Sequence, residues 1–187
     1  MNDISKFKET KKSSNLIFDG NVLHLYRDDI YLPDGREAYR EYCRHVGAVC
    51  IVPVTAEREV ICVRQYRYAV GDVMLEIPAG KLDSKEEDPT EAAIRELHEE
   101  TGVVSKKLEY IGKYYSSPAI LDECIYMYIA QDLEFLGTDF DDDEFIEIVK
   151  IPIDELVQMI MRGEIADGKT QAAVMRAAYA LDRKSKC

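Results

Sequence analysis

Three glutamates crowd one short segment of the chain. Glu96, Glu99 and Glu100 lie within five positions, and on a helix that turns roughly 100° per residue Glu96 and Glu100 share one face with Glu99 beside them. Like charges four positions apart destabilise an isolated helix, and these also stand near its C-terminus, the unfavourable end of the helix dipole for anions. Mg²⁺ or Mn²⁺ would reverse the repulsion, because hard cations prefer carboxylate oxygens. For the helix alone, the alternative is a solvated acidic face with Arg95 and nearby lysines as counterions.

Local signals set the bounds of the helix that carries these glutamates. Asp88 is a suitable N-cap, Pro89 suits the first helical position, and Glu91 completes a capping box. An apolar stripe follows, made of Ala92, Ala93, Ile94 and Leu97. Gly102 is a natural stop after the C-terminus. The sequence therefore predicts a helix over residues 89–101.

The remaining segments predict strands around this helix and two helices after them. Short strands are predicted over 16–35, with turns at Asp19-Gly20 and at residues 33–35, and the first dozen residues are expected to be frayed. Further strands are predicted over 37–44, 47–54, 59–67, 73–80, 108–117, 124–133 and 145–152, and helices over 153–163 and 170–184. This order of elements predicts an α/β fold with a mixed sheet.

Composition narrows the class of protein. A net charge of −12 disfavours binding along nucleic acid, but it permits a small phosphorylated ligand bridged by a divalent cation. No apolar run approaches the roughly 20 residues of a membrane span, and the N-terminus is polar, so a cytoplasmic protein without membrane contact is expected. The five cysteines show no CxxC spacing, and Cys50 and Cys62 are expected to be buried free thiols.

The spacing around the glutamates resembles the Nudix box, G-x5-E-x7-R-E-U-x-E-E-x-G-U, in which U is apolar. The matching residues are Gly80, Glu87, Arg95, Glu96, Leu97, Glu99, Glu100, Gly102 and Val103. One departure is that six residues separate Gly80 from Glu87, and we place the additional residue in the loop. The resemblance implies a Nudix fold, a mixed β-sheet sandwiched between helices. It also implies an N-terminal tail and β arm over residues 1–45 before a hydrolase domain over 46–187.

The resemblance further implies metal-assisted hydrolysis, in which water attacks a phosphorus of a pyrophosphate. The expected cation is Mg²⁺, for which Mn²⁺ can substitute. The metal ligands that it implies are the carbonyl of Ala79 and the carboxylates of Glu96, Glu99 and Glu100. Arg95 would orient these carboxylates by ion pairing, and Glu87 would hold the loop through a similar pair. Glu76 is expected either to line the metal cleft or to pair with an arginine.

The segments outside the box resemble the ADP-ribose pyrophosphatases of this family, from about residue 16 to 182. The matching segments are 63–71, 75–83, 116–123, 141–156 and 163–173. One residue departs from the pattern, because Ala119 stands where the loop usually has glycine.

This second resemblance implies substrate contacts and a general base. Substrate contacts are expected from Arg64, Ser117 and Glu123, whereas Arg67 is assigned a structural role. The general base is expected in the acidic loop over residues 141–144, with Glu144 first and Asp142 second.

The expected activity is divalent-metal-dependent hydrolysis of ADP-ribose to AMP and ribose 5-phosphate. The expected assembly is a homodimer in which the N-terminal arm contacts the second subunit. One alternative is a Nudix pyrophosphatase for another nucleoside diphosphate derivative, such as a sugar nucleotide or a dinucleotide. A non-catalytic module that senses ADP-ribose is a further alternative, against which the intact glutamates argue.

Overall fold

The computed structural model describes residues 4–137 and 145–184. Its contacts divide the chain into two units. The first unit consists of residues 1–45 and 117–123, and the second of residues 46–116 and 124–187. Among the helices of the described residues, none has the length and hydropathy that a membrane-spanning segment needs.

The first unit is built on an antiparallel sheet of three strands. In spatial order these are β1 (Thr10–Asp19), β2 (His24–Tyr31) and β3 (Glu37–Arg44). The end of the segment expected to be frayed is a strand instead, because β1 begins at Thr10 and pairs with β2 from there. Its first residues are polar and exposed, so their order comes from backbone pairing rather than from burial. Residues 117–123 join this unit through Cys43, whose N–H donates to the carbonyl of Ile120 at 2.8 Å.

The second unit contains two sheets. One is mixed, in the order β7-β4-β9-β8, and the other is antiparallel, in the order β10-β5-β6. The strands are β4 (Ala48–Pro53), β5 (Glu59–Arg67), β6 (Asp72–Glu76), β7 (Ala79–Lys81), β8 (Val103–Tyr115), β9 (Cys124–Phe135) and β10 (Glu147–Pro152). The parallel pairing of β4 with β9 makes the first sheet mixed, as predicted.

The single strand predicted over 73–80 is two strands in the structure. The chain leaves one sheet after Glu76 and enters the other at Ala79. Pro78 lies at the crossing, where its missing N–H cannot extend a ladder. The two-sheet arrangement thus places β7 beside β4.

Three helices complete the second unit: α1 (Pro89–Thr101), α2 (Ile153–Met161) and α3 (Gly168–Lys184). The predicted bounds of α1 are confirmed. The Asp88 side chain accepts from the Thr90 N–H at 2.7 Å, and Gly102 adopts a left-handed φ of 67° while its N–H donates to the His98 carbonyl.

Alternate side chains of β4 face opposite sides of the mixed sheet, and α1 packs against one of these sides. Val49 and Ile51 are fully buried in a core that includes Ala92, Ala93 and Leu97 of α1. Cys50 and Val52 enter a second core, which includes residues of α2 and α3. The two cores on opposite faces of β4 confirm a sheet between helices.

Two cysteines of these cores behave as predicted. Cys50 and Cys62 are buried free thiols, and burial raises the pKa of each to about 12. Both therefore stay protonated and unreactive at neutral pH.

Candidate functional site

Arg95 is the centre of an acidic cluster on α1. Its Nη1 donates to Glu96 Oε1 at 2.7 Å and to Glu99 Oε2 at 3.1 Å. Its Nη2 donates to Glu87 Oε1 at 3.3 Å and to the carbonyl of Lys81 at 3.2 Å. Burial acts to lower the pKa of Arg95, but the hydrogen bond and the charge of Glu96 outweigh burial and raise it. The guanidinium therefore stays charged and holds these carboxylates in place.

Glu87 connects the loop before α1 to the same arginine. While its Oε1 accepts from Arg95, its Oε2 accepts from the Asp83 N–H at 2.5 Å. A turn within the loop brings the Glu86 N–H to the Ser84 hydroxyl at 3.2 Å. These hydrogen bonds order residues 83–87, and the helix that follows begins at Pro89, as its capping residues predict.

Two carboxylates of α1 meet consecutive residues of β7. Glu100 is only 5% exposed, and its Oε2 accepts from the Ala79 N–H at 3.0 Å. The Glu96 carboxylate lies against Gly80, where a Cβ would stand 1.9 Å from Glu96 Cδ. An alanine at residue 80 would therefore push the Glu96 carboxylate away from β7. The helix and the strand together place Glu100 against Ala79 and Glu96 against Gly80.

The chemistry of these donors fits a hard divalent cation. Every predicted ligand offers oxygen, from the carboxylates of Glu96, Glu99 and Glu100 and from the carbonyl of Ala79. In the arrangement seen here, Arg95 engages both Glu96 and Glu99. Within residues 4–137 and 145–184, no three His, Cys, Asp or Glu side chains converge as they would around a bound metal. The ligand set therefore stays a prediction.

A second ionic network lies at the end of β6. Glu76 is 1% exposed and accepts from Arg67 Nε at 2.8 Å and Nη2 at 2.7 Å. Lys169 Nζ also donates to Glu76. Burial alone would raise the pKa of Glu76, but Arg67 and Lys169 outweigh burial and lower it. Of the two roles considered for Glu76, the structure shows pairing with an arginine, and Arg67 has the structural role assigned to it.

The first turn of α3 extends this network. The sequence patterns predicted neither the first residues of this helix nor their contacts with Ile77 and Glu76. Asp167 Oδ2 accepts from both the N–H and the hydroxyl of Thr170, at 2.9 and 2.5 Å. Thr170 Oγ1 in turn accepts from the Ile77 N–H at 3.0 Å. Lys169 Nζ lies 3.1 Å from Asp167 Oδ1. The N-capping position of Asp167 was the available signal, and it would have started α3 at Gly168 rather than at Thr170.

The predicted substrate contacts lie in different parts of the chain. Arg64, 43% exposed, pairs with Glu147 at 2.9 Å. Ser117 and Glu123 belong to the first unit, where Glu123 Oε1 lies 3.7 Å from His45 Nδ1. Their contact with substrate stays a prediction.

The two candidates for the general base, Glu144 and Asp142, fall outside the residues that the structure describes.

A mixed sheet between helices, with a loop and a glutamate-rich helix against its edge strand, defines a class of protein. The chain belongs to the NUDIX domain family, which matches residues 44–173. The predicted family and fold class are thereby confirmed.

Individual relatives extend over nearly the whole chain. An ADP-ribose pyrophosphatase of Bacillus subtilis (strain 168) is 37% identical over 173 residues, which cover 91% of this chain and 93% of that protein. A methanol dehydrogenase activator of Bacillus methanolicus is 39% identical over 170 residues, which cover 90% and 91%. The crystal structure of an ADP compounds hydrolase matches with a TM-score of 0.85 and 22% identity, covering 96% of this chain and 97% of the other. That structure supports the fold alone.

Proposed function

We propose that this protein is a Nudix pyrophosphohydrolase that hydrolyses ADP-ribose to AMP and ribose 5-phosphate with the help of a divalent cation. The observation that carries the proposal is the meeting of Glu96 and Glu100 with Gly80 and Ala79. The Bacillus subtilis relative, an ADP-ribose pyrophosphatase, supports the choice of substrate.

In the proposed reaction, water attacks one phosphorus of the pyrophosphate and the other phosphate leaves. Glu96, Glu99 and Glu100 with the Ala79 carbonyl would hold the cation, for which Mg²⁺ is proposed and Mn²⁺ can substitute. A bound cation would supply charge neutralisation at the pyrophosphate. Arg95 positions the carboxylates through its pairs with Glu96 and Glu99.

The remaining roles follow the resemblance. Glu144, or else Asp142, would accept the proton of the attacking water. Arg64, Ser117 and Glu123 would contact the substrate, and an exposed guanidinium such as that of Arg64 suits phosphate oxygens.

A homodimer through the first unit is also proposed. All of β1 is exposed in the single chain, and its apolar residues Leu16, Ile17 and Phe18 are 48%, 57% and 56% exposed. Because β1 lies at the edge of its sheet, this exposed apolar segment is typical of an interface. A cytoplasmic location, expected from the sequence, stays a prediction.

A substrate panel tests the proposed activity. Purified protein with Mg²⁺ is offered ADP-ribose, ADP-glucose, NADH, a diadenosine polyphosphate and a deoxynucleoside triphosphate, and the phosphorylated products are quantified. ADP-ribose is expected to be preferred and to yield AMP and ribose 5-phosphate. Preference for another compound would favour the alternative substrate, a different nucleoside diphosphate derivative. That alternative is considered because the exposed Ala119, in the loop after Ser117, stands where the ADP-ribose pyrophosphatases usually have glycine. The absence of hydrolysis products from all five compounds would favour a non-catalytic module.

A further inference from the structure

The turn between β6 and β7 is hydrogen-bonded to two other elements, α3 and β4. The β5–β6 ladder ends at Glu76, and the β4–β7 ladder begins at Ala79. Ile77 and Pro78 lie between these two ladders. Their backbone is held instead by single hydrogen bonds, from the Ile77 N–H to Thr170 of α3 at 3.0 Å and from the Ile51 N–H of β4 to the Pro78 carbonyl at 2.9 Å.

The bond from Ile77 is well defined because the Thr170 hydroxyl has two partners. Thr170 is fully buried. Its hydroxyl donates to Asp167 Oδ2 at 2.5 Å, so its lone pairs are left to accept from Ile77. Asp167 also caps α3, because it accepts from the Thr170 N–H at 2.9 Å. The orientation of the hydroxyl is thus fixed by the first turn of α3.

The same turn leads directly to the glutamate site. Ala79 comes two residues after Ile77, and its N–H donates to Glu100 at 3.0 Å. Gly80 follows and lies against Glu96. A displacement of Ile77 would therefore move the backbone that both carboxylates contact. Lys169 adds a side-chain connection on the other side of the turn, because it bridges Glu76 and Asp167.

We infer that Thr170, oriented by Asp167, is a positioning residue for the divalent cation site, and that it acts through Ile77 and Ala79 on Glu96 and Glu100. The inference rests on the proposed function, since it assumes that these carboxylates hold a cation. Residues that orient ligands without touching the metal commonly change its affinity by 10- to 100-fold.

The test measures Mn²⁺ binding alone, by calorimetry and by the electron paramagnetic resonance signal of free Mn²⁺, with chelator-treated full-length protein. Thr170→Val removes the hydroxyl at constant size and is expected to weaken Mn²⁺ binding on the order of 10-fold. Thr170→Ser keeps the hydroxyl and is expected to restore affinity close to that of the wild type.

Thr55→Val is the matched control. The Thr55 hydroxyl also accepts a backbone N–H, from Glu59 at 3.2 Å, but it lies in the turn between β4 and β5. This variant is expected to lose thermal stability without losing Mn²⁺ affinity. If Thr170→Val does not fold, Thr170→Ala removes the same hydroxyl without placing a methyl group against the Ile77 N–H, and the same weakening is expected.

The outcomes separate this inference from the proposed function. Wild-type affinity in a folded Thr170 variant that lacks the hydroxyl would overturn the inference alone. Equal weakening by Thr55→Val would also overturn it, because general loosening would then explain the effect. A wild-type protein that binds no Mn²⁺ would overturn the proposed metal site and the inference together.

Discussion

Two groups of carboxylates lie on either side of the turn between β6 and β7, and they differ in charge balance. Around Arg95, one guanidinium contacts Asp83 and the three glutamates Glu87, Glu96 and Glu99. At the end of β6, the two carboxylates of Glu76 and Asp167 meet the two cations Arg67 and Lys169. A balanced buried network is typical of a structural role, whereas an acidic excess around one cation favours a site that takes a further cation.

Replacement of Glu100 by Gln should have the largest effect on activity. Gln keeps the size and an oxygen for the Ala79 N–H, but it removes a charge from the proposed cation site. We expect kcat/KM for ADP-ribose to fall by about 10²- to 10³-fold. Steady-state kinetics checks this result, with Glu91→Gln as the control because Glu91 is exposed on the same helix. Turnover of Glu100→Gln at the wild-type rate would remove Glu100 from the ligand set.

Replacement of Glu76 by Gln should instead act on stability. It leaves Arg67 without its buried carboxylate partner and Lys169 with Asp167 alone, and we expect the free energy of unfolding to fall by about 3 kcal/mol. Urea denaturation measures this change. The control is Glu147→Gln, which breaks an exposed pair with Arg64 and should cost at most about 1 kcal/mol. Equal losses in the two variants would mean that the buried network is no more stabilising than a surface pair.

The Glu76 network also predicts a pH dependence. The pKa of the Glu76 carboxyl group is lowered from 4.5 in the folded protein, so the folded state favours its charged form. The stabilisation is fully present above pH 4.5 and is lost as pH falls through the lower folded-state pKa. The difference in unfolding free energy between wild type and Glu76→Gln should therefore shrink as the pH is lowered from 4.5. A difference that stays constant down to pH 3 would contradict the charged-pair explanation.

Replacement of Gly80 by Ala should have a smaller effect, directed at the glutamate site. The added methyl group would displace the end of the Glu96 side chain, which is flexible, rather than backbone. We expect kcat/KM to fall about 10-fold with little change in the thermal unfolding midpoint. A loss of stability with unchanged activity would show that Gly80 serves the fold rather than the carboxylate.

Local signals in the sequence predicted the Arg95 cluster on α1 better than they predicted the Glu76 network. The bounds of α1 followed from Asp88, Pro89 and Gly102, and the resemblance to the Nudix box implied that Arg95 pairs with the glutamates of the same helix. Such contacts depend on residues a few positions apart, so a sequence pattern can specify them.

The second network could not be found in this way. Lys169 and Thr170 reach Glu76 and Ile77 across 93 positions of sequence, so their contacts exist only after the sheets have packed. Residues 73–79 are apolar except for Glu76, and this nearly continuous apolar run concealed the change of sheet at Pro78. Polar residues likewise concealed the start of β1, because an exposed strand has no apolar alternation to detect.

Metal removal tests the central claim most directly. Wild-type protein treated with EDTA and then dialysed should form no measurable AMP from ADP-ribose, and added Mg²⁺ should restore AMP and ribose 5-phosphate in equal amounts. Continued formation of AMP at the untreated rate, with EDTA still present, would contradict the assignment of the α1 glutamates to a catalytic cation.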